Sequence, residues 1–561
     1  MAESSRSKLS SRMAKLNPFK RRGSRDDEDP SEDVGEEIDS ETVAGGGHTA
    51  QATDCARHDL QVNDAIKSYM TEQGIVDSGD PEALHAFLEK HHIQVSERVT
   101  DKSHPLPEYF ISSSHNTYLM AHQLFGASSA GAYEATLNAG ARCVEIDAWD
   151  NSDNPSEPKV THGYTLVSNI PFRAVCETIR DVIDREEAAS PGAAAPILLS
   201  LENHCDPAGQ LRLVEIMKEV WDERLLTAAV RDDNIEAHAT LAELGSKVVV
   251  IVEHHIPDEA EDSDSSSSSS SDEDADEKQA RHDYKDKKKA APSTIIIPEL
   301  AALGVYAQSV KPSNASWFGE GLLNSPHHPL INLSESGLSS HLPANAAAIA
   351  RHNAKHLMRV YPKGTRISSR NLRPEKFWGL GAQICAMNWQ TFGAGMQLND
   401  ALFSGTSGFV LKPDALRADG DGVLLTGQRK KVLRLTVGGA TDVPVPAGRT
   451  VAELKPYLTC SLLQPDSSVK RKTRALKDVA DEGGKLAPIW GETLEWNFDE
   501  TELEFIRLFV KSDDSYASNP ILAVAAIRLL YIVPGWSFVP LLDLRGHQKG
   551  WLLARFEIED A

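Results

Sequence analysis

Between residues 108 and 256, strand-like segments alternate with segments of helical periodicity, and that order leaves few architectures open. The strand-like segments are "EYFISSSH", "RCVEIDAWD", "KVTHGY", "APILLSLENH" and "SKVVVIVEH", with "AYEATLNAG" and "FRAVCETIRDVIDRE" among the helical stretches between them. Such alternation predicts a parallel sheet with crossover helices. Five strands do not close a barrel of eight. The pattern breaks at an acidic serine run and resumes in "TIIIPELAALGVYAQS", "AQICAMNWQT" and "SGFVLKP", bringing the count to eight. The predicted class is α/β: one split (β/α)8 TIM-like barrel, with halves over 105–256 and 294–416 and a disordered linker over 257–293.

The flanking segments differ. From 428 to 561, "KVLRLTVGG", "PYLTCSLLQP", "ETLEWNFD", "FIRLFVKSDD", "ILAVAAIRLLYI" and "WLLARFEIED" are strands at short spacing, which predicts an all-β sandwich. Over 56–104, "NDAIKSYMTEQG" and "DPEALHAFLEKHH" carry apolar residues at helical spacing, and Asp80-Pro81 starts the second helix. Helix pairs often come from EF-hands. No D-x-D-x-D-G loop with a closing Glu is present here, so this pair is not predicted to bind calcium. Residues 1–55 are predicted to be a disordered tail, basic at Lys8, Arg12, Lys15, Lys20, Arg21 and Arg22 and acidic over 26–41. The basic run reads as solvated; the sharper alternative is a tether to anionic lipid, at ~1 kcal/mol per basic residue.

The 561 residues carry a formal net charge of −24, which argues against nucleic acid as a partner. The charge is segregated into 26–41 and 257–277, so the folded parts are not barred from an anionic membrane surface. The six cysteines (Cys55, Cys143, Cys176, Cys205, Cys385, Cys460) form no CxxC pair and read as reduced intracellular thiols. The first residues lack a signal-peptide apolar run, and no stretch is long and apolar enough to span a bilayer. The expectation is a cytoplasmic monomer.

In "VEIDAWD", Glu145 and Asp147 alternate with apolar residues, so both acids share one face of a strand. Active sites of parallel barrels sit at the carboxyl ends of the strands. Collected there are Ser114-His115-Asn116, Glu145 with Asp147, His162-Gly163-Tyr164 and Glu202-Asn203-His204. Clustered carboxylates would neutralise unless a cation joined them. Asn116, Glu145, Asp147 and Glu202 offer only oxygen, which suits Ca²⁺ or Mg²⁺ better than zinc. His115 and His162 remain for proton transfer or for stabilising a phosphorane-like charge.

These motifs resemble those of eukaryotic phosphoinositide-specific phospholipase C, over about 105–560. "SSSHNTYL", "VEIDAWD", "THGYT" and "LSLENHC" are similar to the family's X half; "RVYPKGTRISSRN", "AMNWQT" and "GFVLKP" are similar to its Y half. The resemblance is to delta-like members without a PH domain. It implies that the sandwich is a C2 domain and that the helix pair is an EF-hand-like remnant. It implies Ca²⁺ on Asn116, Glu145, Asp147 and Glu202, with His115 and His162 as the catalytic histidines and Glu145 as the base. The implied reaction cleaves phosphatidylinositol phosphates through a cyclic inositol phosphate, in signalling, at a membrane surface reached peripherally.

The departures bear on substrate. The family's fifth strand ends in lysines that hold ring phosphates; aligned from Lys247, this chain has Ile251 and Glu253, and a shifted alignment would bring His254 or His255 there instead. Asn332 stands where the family usually has a phosphate-binding serine, while Arg359 and Tyr361 match its headgroup arginine and ring-packing tyrosine. The expectation is retained catalysis with a weakened preference for the bisphosphate. Leu124 and Leu166 match a membrane ridge, and Thr365 replaces a ridge tryptophan. Lys455 stands near a usual Ca²⁺-ligating Asp of C2 domains, with Asp513 and Asp514 a residual pair, which favours a structural, Ca²⁺-independent C2 domain packed on the barrel. The linker is the family's usual place for autoinhibition; its serines at 265–271 precede acids and suit phosphorylation, and deleting 258–291 is expected to raise activity. Two other readings compete: a lipid-binding scaffold with an inactive barrel, and another barrel phosphodiesterase. The residues identify no protein activator.

Overall fold

Side chains alternate across a strand, and the barrel is built on that rule. The computed structural model describes residues 62–77, 79–119, 128–161, 168–192, 194–231, 237–254, 295–312, 315–319, 326–363, 370–424, 427, 429–477, 479–481, 483–513 and 519–561. Its first strands are β1 (Tyr109–Ile111), β2 (Cys143–Trp149), β3 (Lys159–Val160), β4 (Ile170–Pro171), β5 (Ile197–His204) and β6 (Val248–Glu253). After the linker come β7 (Gln308–Val310), β8 (Pro329–Ser334), β9 (Leu357–Tyr361), β10 (Ile384–Cys385) and β11 (Phe409–Leu411).

The sheet order is β11-β1-β10-β9-β8-β7-β6-β5-β2-β3-β4. Every pairing from β1 round to β2 is parallel. A parallel bridge between Ser113 and Cys143 joins the two ends and closes the ring. Eight parallel staves result, but two differ from those expected. Lys159–Val160, from "KVTHGY", pairs antiparallel with β2, and Phe409–Leu411, from "SGFVLKP", pairs antiparallel with β1. The staves in their place are β8 and β9. Each carries a polar residue on the inward face, Asn332 or Arg359, which breaks the apolar alternation that marks a strand. Within "TIIIPELAALGVYAQS" the middle is a helical turn, Pro298–Ala301, with proline in its first turn.

The inward side chains Ile111, Cys143, Leu198, Val249, Ile251, Leu330, Leu357 and Ile384 meet in an apolar floor. Their outward neighbours Val144, Ile146, Leu199 and Val250 pack under helices Phe172–Ala189 and Pro207–Trp221. The polar tiers of the site stand on this floor.

The C-terminal sandwich comprises β12 (Lys430–Thr441), β13 (Pro456–Gln464), β14 (Ser467–Lys472), β15 (Ile489–Asp499), β16 (Phe505–Ser512), β17 (Ile521–Arg528), β18 (Gly535–Leu542) and β19 (Gln548–Asp560). Its order β14-β13-β16-β17-β18-β19-β12-β15 divides into two four-stranded sheets, which share one core and are bridged by a single strand pair, Val524 with Leu542. Two strands were not anticipated. β14 is a mostly exposed edge with no apolar face, and β18 contains Pro540, which disguises a strand. The sandwich shares a core with the barrel: Phe505, Phe509 and Tyr531 pack with Trp378, Leu402 and Phe403. Arg507 Nε donates to Gln397 Oε1 at 2.8 Å, and the Tyr531 hydroxyl donates to the Leu402 carbonyl at 2.9 Å.

The helices before the barrel form as expected, over Asp64–Glu72 and Pro81–Leu88, with Asn63 and Asp80 as N-caps. Ile66 and Met70 pack on Phe538, Trp551 and Leu553 of the sandwich. A segment that precedes the barrel in sequence is thus laid on the domain that follows it. The five described cysteines are buried and free.

Histidines gather at the amino ends of β8 and β9, away from the carboxyl-end tiers. His238 Nε2 lies 3.3 Å from His328 Nδ1, and the His352 and His356 rings are 4.8 Å apart. Burial lowers the pKa of His238, with His328 and His356 adding repulsion. Burial holds His352 down at about 4, His356 and Lys412 contributing, and lowers His356 beside His328 and Lys355. The unfolded chain protonates these rings near pH 6.5, whereas the folded chain resists. Their contribution is complete above that pH and is lost as pH falls. For His352 the loss is about 1.4 kcal/mol per pH unit, down to about 4. Urea midpoints measured from pH 7 to pH 5 should therefore fall, and fall less in H352Q; a flat profile would contradict this account.

Candidate active site

Glu145 and Asp147 face into the barrel from β2, above Cys143. Asp147 lies in register with Glu202 of β5. Oxygens of Glu145, Asp147 and Glu202 all lie within 4.8 Å of one another. Glu145 and Asp147 are each 4% exposed, so water screens their repulsion poorly.

Nearby groups offset part of that charge. Glu145 Oε1 accepts from Arg359 Nη2 at 2.6 Å, and Oε2 accepts the Asn116 amide N–H at 2.8 Å. The Tyr118 hydroxyl lies 2.6 Å from Asp147 Oδ2 and 3.1 Å from Asn116 Oδ1. Burial, with Asp147 beside it, raises the Tyr118 pKa well above its usual value, so the phenol keeps its proton and donates it. Glu202 Oε1 lies 3.1 Å from His204 Nε2, and that ring stacks on Trp149 at 4.0 Å. Asn116 has a φ of 46°, a left-handed conformation that Asn tolerates better than most residues. Its backbone bend and amide oxygen both serve the cluster. An amide and three carboxylates form an all-oxygen donor set that fits a hard divalent cation such as Ca²⁺.

His115 follows β1, its amide N–H donating to the Met387 carbonyl. Its Nδ1 lies 2.9 Å from Asn388 Oδ1. Asn388 is oriented by its own Nδ2, which donates to the Arg370 carbonyl at 3.1 Å. Oδ1 therefore faces the imidazole, and Nδ1 carries the proton. Burial lowers the His115 pKa against the pull of Glu145, so the ring is neutral and Nε2 presents a lone pair.

On the opposite wall, Arg359 Nη1 donates to Asn332 Oδ1 at 3.3 Å, and Asn332 Nδ2 donates to Ser309 Oγ at 3.2 Å. The Arg359 guanidinium lies 5.6 Å from the Tyr361 ring centre. Val249 and Ile251 pack in the barrel floor while Val248, Val250 and Val252 pack outward, so Glu253 shares the inward face. His254 falls on the outward face. That alternation selects Ile251 and Glu253, rather than His254, as the inward residues of this strand. Glu253 is in register with Ser309.

The structure thus brings together His115, Asn116, Glu145, Asp147, Glu202, Asn332, Arg359 and Tyr361. His162, Leu124, Leu166, Thr365, Asp514 and the linker lie outside the described residues. Tyr118, Ser309 and Asn388 were not anticipated, and His204 was placed at its strand end without a role. Tyr118 and Asn388 sit inside the quoted motifs "SSSHNTYL" and "AMNWQT" and were open to notice; Ser309, at the end of a strand-like segment, carried no signal of its own.

Comparisons with known proteins bear on this architecture. Residues 102–254 match the family "Phosphatidylinositol-specific phospholipase C, X domain", residues 300–415 its Y domain and residues 431–541 the C2 domain. The "1-phosphatidylinositol 4,5-bisphosphate phosphodiesterase zeta-1" of Rattus norvegicus is 30% identical over 493 residues, covering 80% of this chain and 72% of that protein. The chain belongs to the phosphoinositide-specific phospholipase C family. The delta-3-A phosphodiesterase of Danio rerio is also 30% identical, and this chain covers 56% of its length. The crystal structure of L. pealei PLC21 shares the fold, with a TM-score of 0.68 at 23% identity, covering 92% of this chain and 65% of that one. As a phospholipase C, the chain is a phosphoric diester hydrolase with a split barrel and a C2 domain. Among its described residues, no helix is long and apolar enough to cross a membrane.

Proposed function

We propose that this phospholipase C is Ca²⁺-dependent and cleaves phosphatidylinositol phosphates to diacylglycerol and inositol phosphates, with a weakened preference for the bisphosphate. The carrying observation is the convergence of three carboxylates within 4.8 Å beside a buried arginine and a histidine of assigned tautomer.

Asn116, Glu145, Asp147 and Glu202 would hold the cation. When bound, it supplies neutralising charge and lowers the pKa of the inositol 2-hydroxyl. Glu145 accepts the proton of that hydroxyl as its oxygen bonds to phosphorus. His162 gives a proton to the departing diacylglycerol oxygen as the phosphorus–oxygen bond breaks. In the second stage His162 takes a proton from water as the water oxygen bonds to phosphorus, and Glu145 returns its proton to the inositol 2-oxygen as the bond from that oxygen to phosphorus breaks. His115 has a refinement of role: with Nδ1–H held by Asn388, its Nε2 donates to the phosphate only after gaining a second proton. The anionic phosphate supplies the field that favours this.

Arg359, Tyr361 and Asn332 form the headgroup wall. Ile251 and Glu253 explain the weakened preference, since neither donates a charged hydrogen bond to a ring phosphate. The C2 domain supports peripheral association with phosphoinositide-containing membranes from the cytoplasm, with Leu124 and Leu166 as the apolar ridge.

The test measures Ca²⁺-buffered initial rates on mixed vesicles bearing phosphatidylinositol, its monophosphate or its bisphosphate. Release from all three is expected. The bisphosphate advantage should fall short of a lysine-bearing relative's by roughly 10- to 100-fold, the worth of one charged hydrogen bond. No release at any Ca²⁺ concentration would point to a scaffold, and an undiminished bisphosphate advantage would refute the account of the pocket.

A further inference from the structure

Arg359 makes its shortest contact with a residue that the cation also needs. Its Nη2 meets Glu145 Oε1 at 2.6 Å, with the two side chains 4% and 5% exposed. On its other side Nη1 reaches Asn332 in the headgroup wall. Its Nε is buried and makes no hydrogen bond. A buried guanidinium donor without an acceptor is costly, and an anionic oxygen in the pocket would relieve that cost. The one side chain therefore borders both the acidic cluster and the headgroup space. Glu145 is the leading group that sustains its charge against burial.

We infer that in the free enzyme Arg359 competes with the divalent cation for Glu145, and that an anionic headgroup tightens metal binding by drawing Arg359 away. This inference rests on the Ca²⁺ site proposed above. Three carboxylates carry three negative charges, and Arg359 cancels one of them before metal arrives. A divalent cation on Glu145 then meets a fixed positive charge across one carboxylate, and the two repel. A ring phosphate offers Arg359 another anion and gives its orphaned Nε an acceptor. By linkage, metal tightens the phosphate equally. With Ile251 and Glu253 in the lysine positions, this pull falls on Arg359. An unphosphorylated ring exerts none, so selectivity among the lipids should appear in the Ca²⁺ concentration that each requires.

The experiment uses the full chain without lipid. Tb³⁺ luminescence and its displacement by Ca²⁺ report affinity directly. R359M should bind both ions roughly 10- to 100-fold more tightly than the wild type, the range over which groups behind metal ligands alter affinity. In the wild type, soluble inositol 1,4,5-trisphosphate should tighten Ca²⁺ binding, and the effect should shrink in R359M. Equal or weaker binding by a folded R359M overturns the inference. If R359M does not fold, the wild-type measurement decides alone, and affinity indifferent to the trisphosphate overturns it. D147N separates the two levels: if Tb³⁺ binding survives that change unaltered, the proposed metal site itself is wrong.

Discussion

Asp147→Asn should reduce Ca²⁺-dependent release of inositol phosphate by on the order of 10³-fold, about 4 kcal/mol of transition-state stabilisation. The substitution keeps the shape of the side chain. Its amide oxygen can still accept from the Tyr118 hydroxyl, which lies 2.6 Å from Asp147 Oδ2. What is lost is one of three negative charges in the cluster. The same loss relieves repulsion between Asp147 and Glu145, both 4% exposed. Activity should therefore collapse while the melting temperature stays level or rises. Glu202→Gln should cost less, because Glu202 is half-buried and lies beside His204. Near-normal turnover by D147N at limiting Ca²⁺ would remove the carboxylate cluster from the mechanism.

The second large effect is a gain. Glu253→Lys should raise the rate ratio of bisphosphate to phosphatidylinositol by roughly 10- to 100-fold, through one charge-assisted hydrogen bond and the loss of one repulsion. Glu253 lies on the inward face at the carboxyl end of β6, in register with Ser309, which accepts from Asn332. A lysine there enters a wall that already holds Arg359. Ile251→Lys makes a poorer test. Ile251 is 1% exposed in the apolar floor, and an unpaired cation there would destabilise the barrel. The measurement is paired initial rates on vesicles of fixed surface charge. A ratio that E253K leaves unmoved would show that this position does not face the ring phosphates.

The period-two pattern in "RCVEIDAWD" made both the strand and its functional face legible, because outward apolar residues pack under helices and inward acids do not. The same rule hid β8 and β9. Asn332 and Arg359 occupy inward positions that a structural strand would give to apolar residues, so the function of these staves masked their form. The Arg359–Glu145 pair joins residues 214 positions apart, and only closure of the ring brings them together. The left-handed turn at Asn116 was equally silent, since Asn is common in loops of every kind. The helix pair was legible as helices but not in its destination. Ile66 and Met70 announce an apolar face without saying which domain covers it.

The seam between sandwich and barrel has a consequence for encounters with lipid. Because Phe505, Phe509 and Tyr531 are buried among Trp378, Leu402 and Phe403, the two domains turn together. A bilayer that captures the sandwich thereby sets the tilt and height of the barrel mouth. Arrival and aim become a single coordinate. The orientational freedom that a hinged pair would surrender at the surface is already spent when the chain folds.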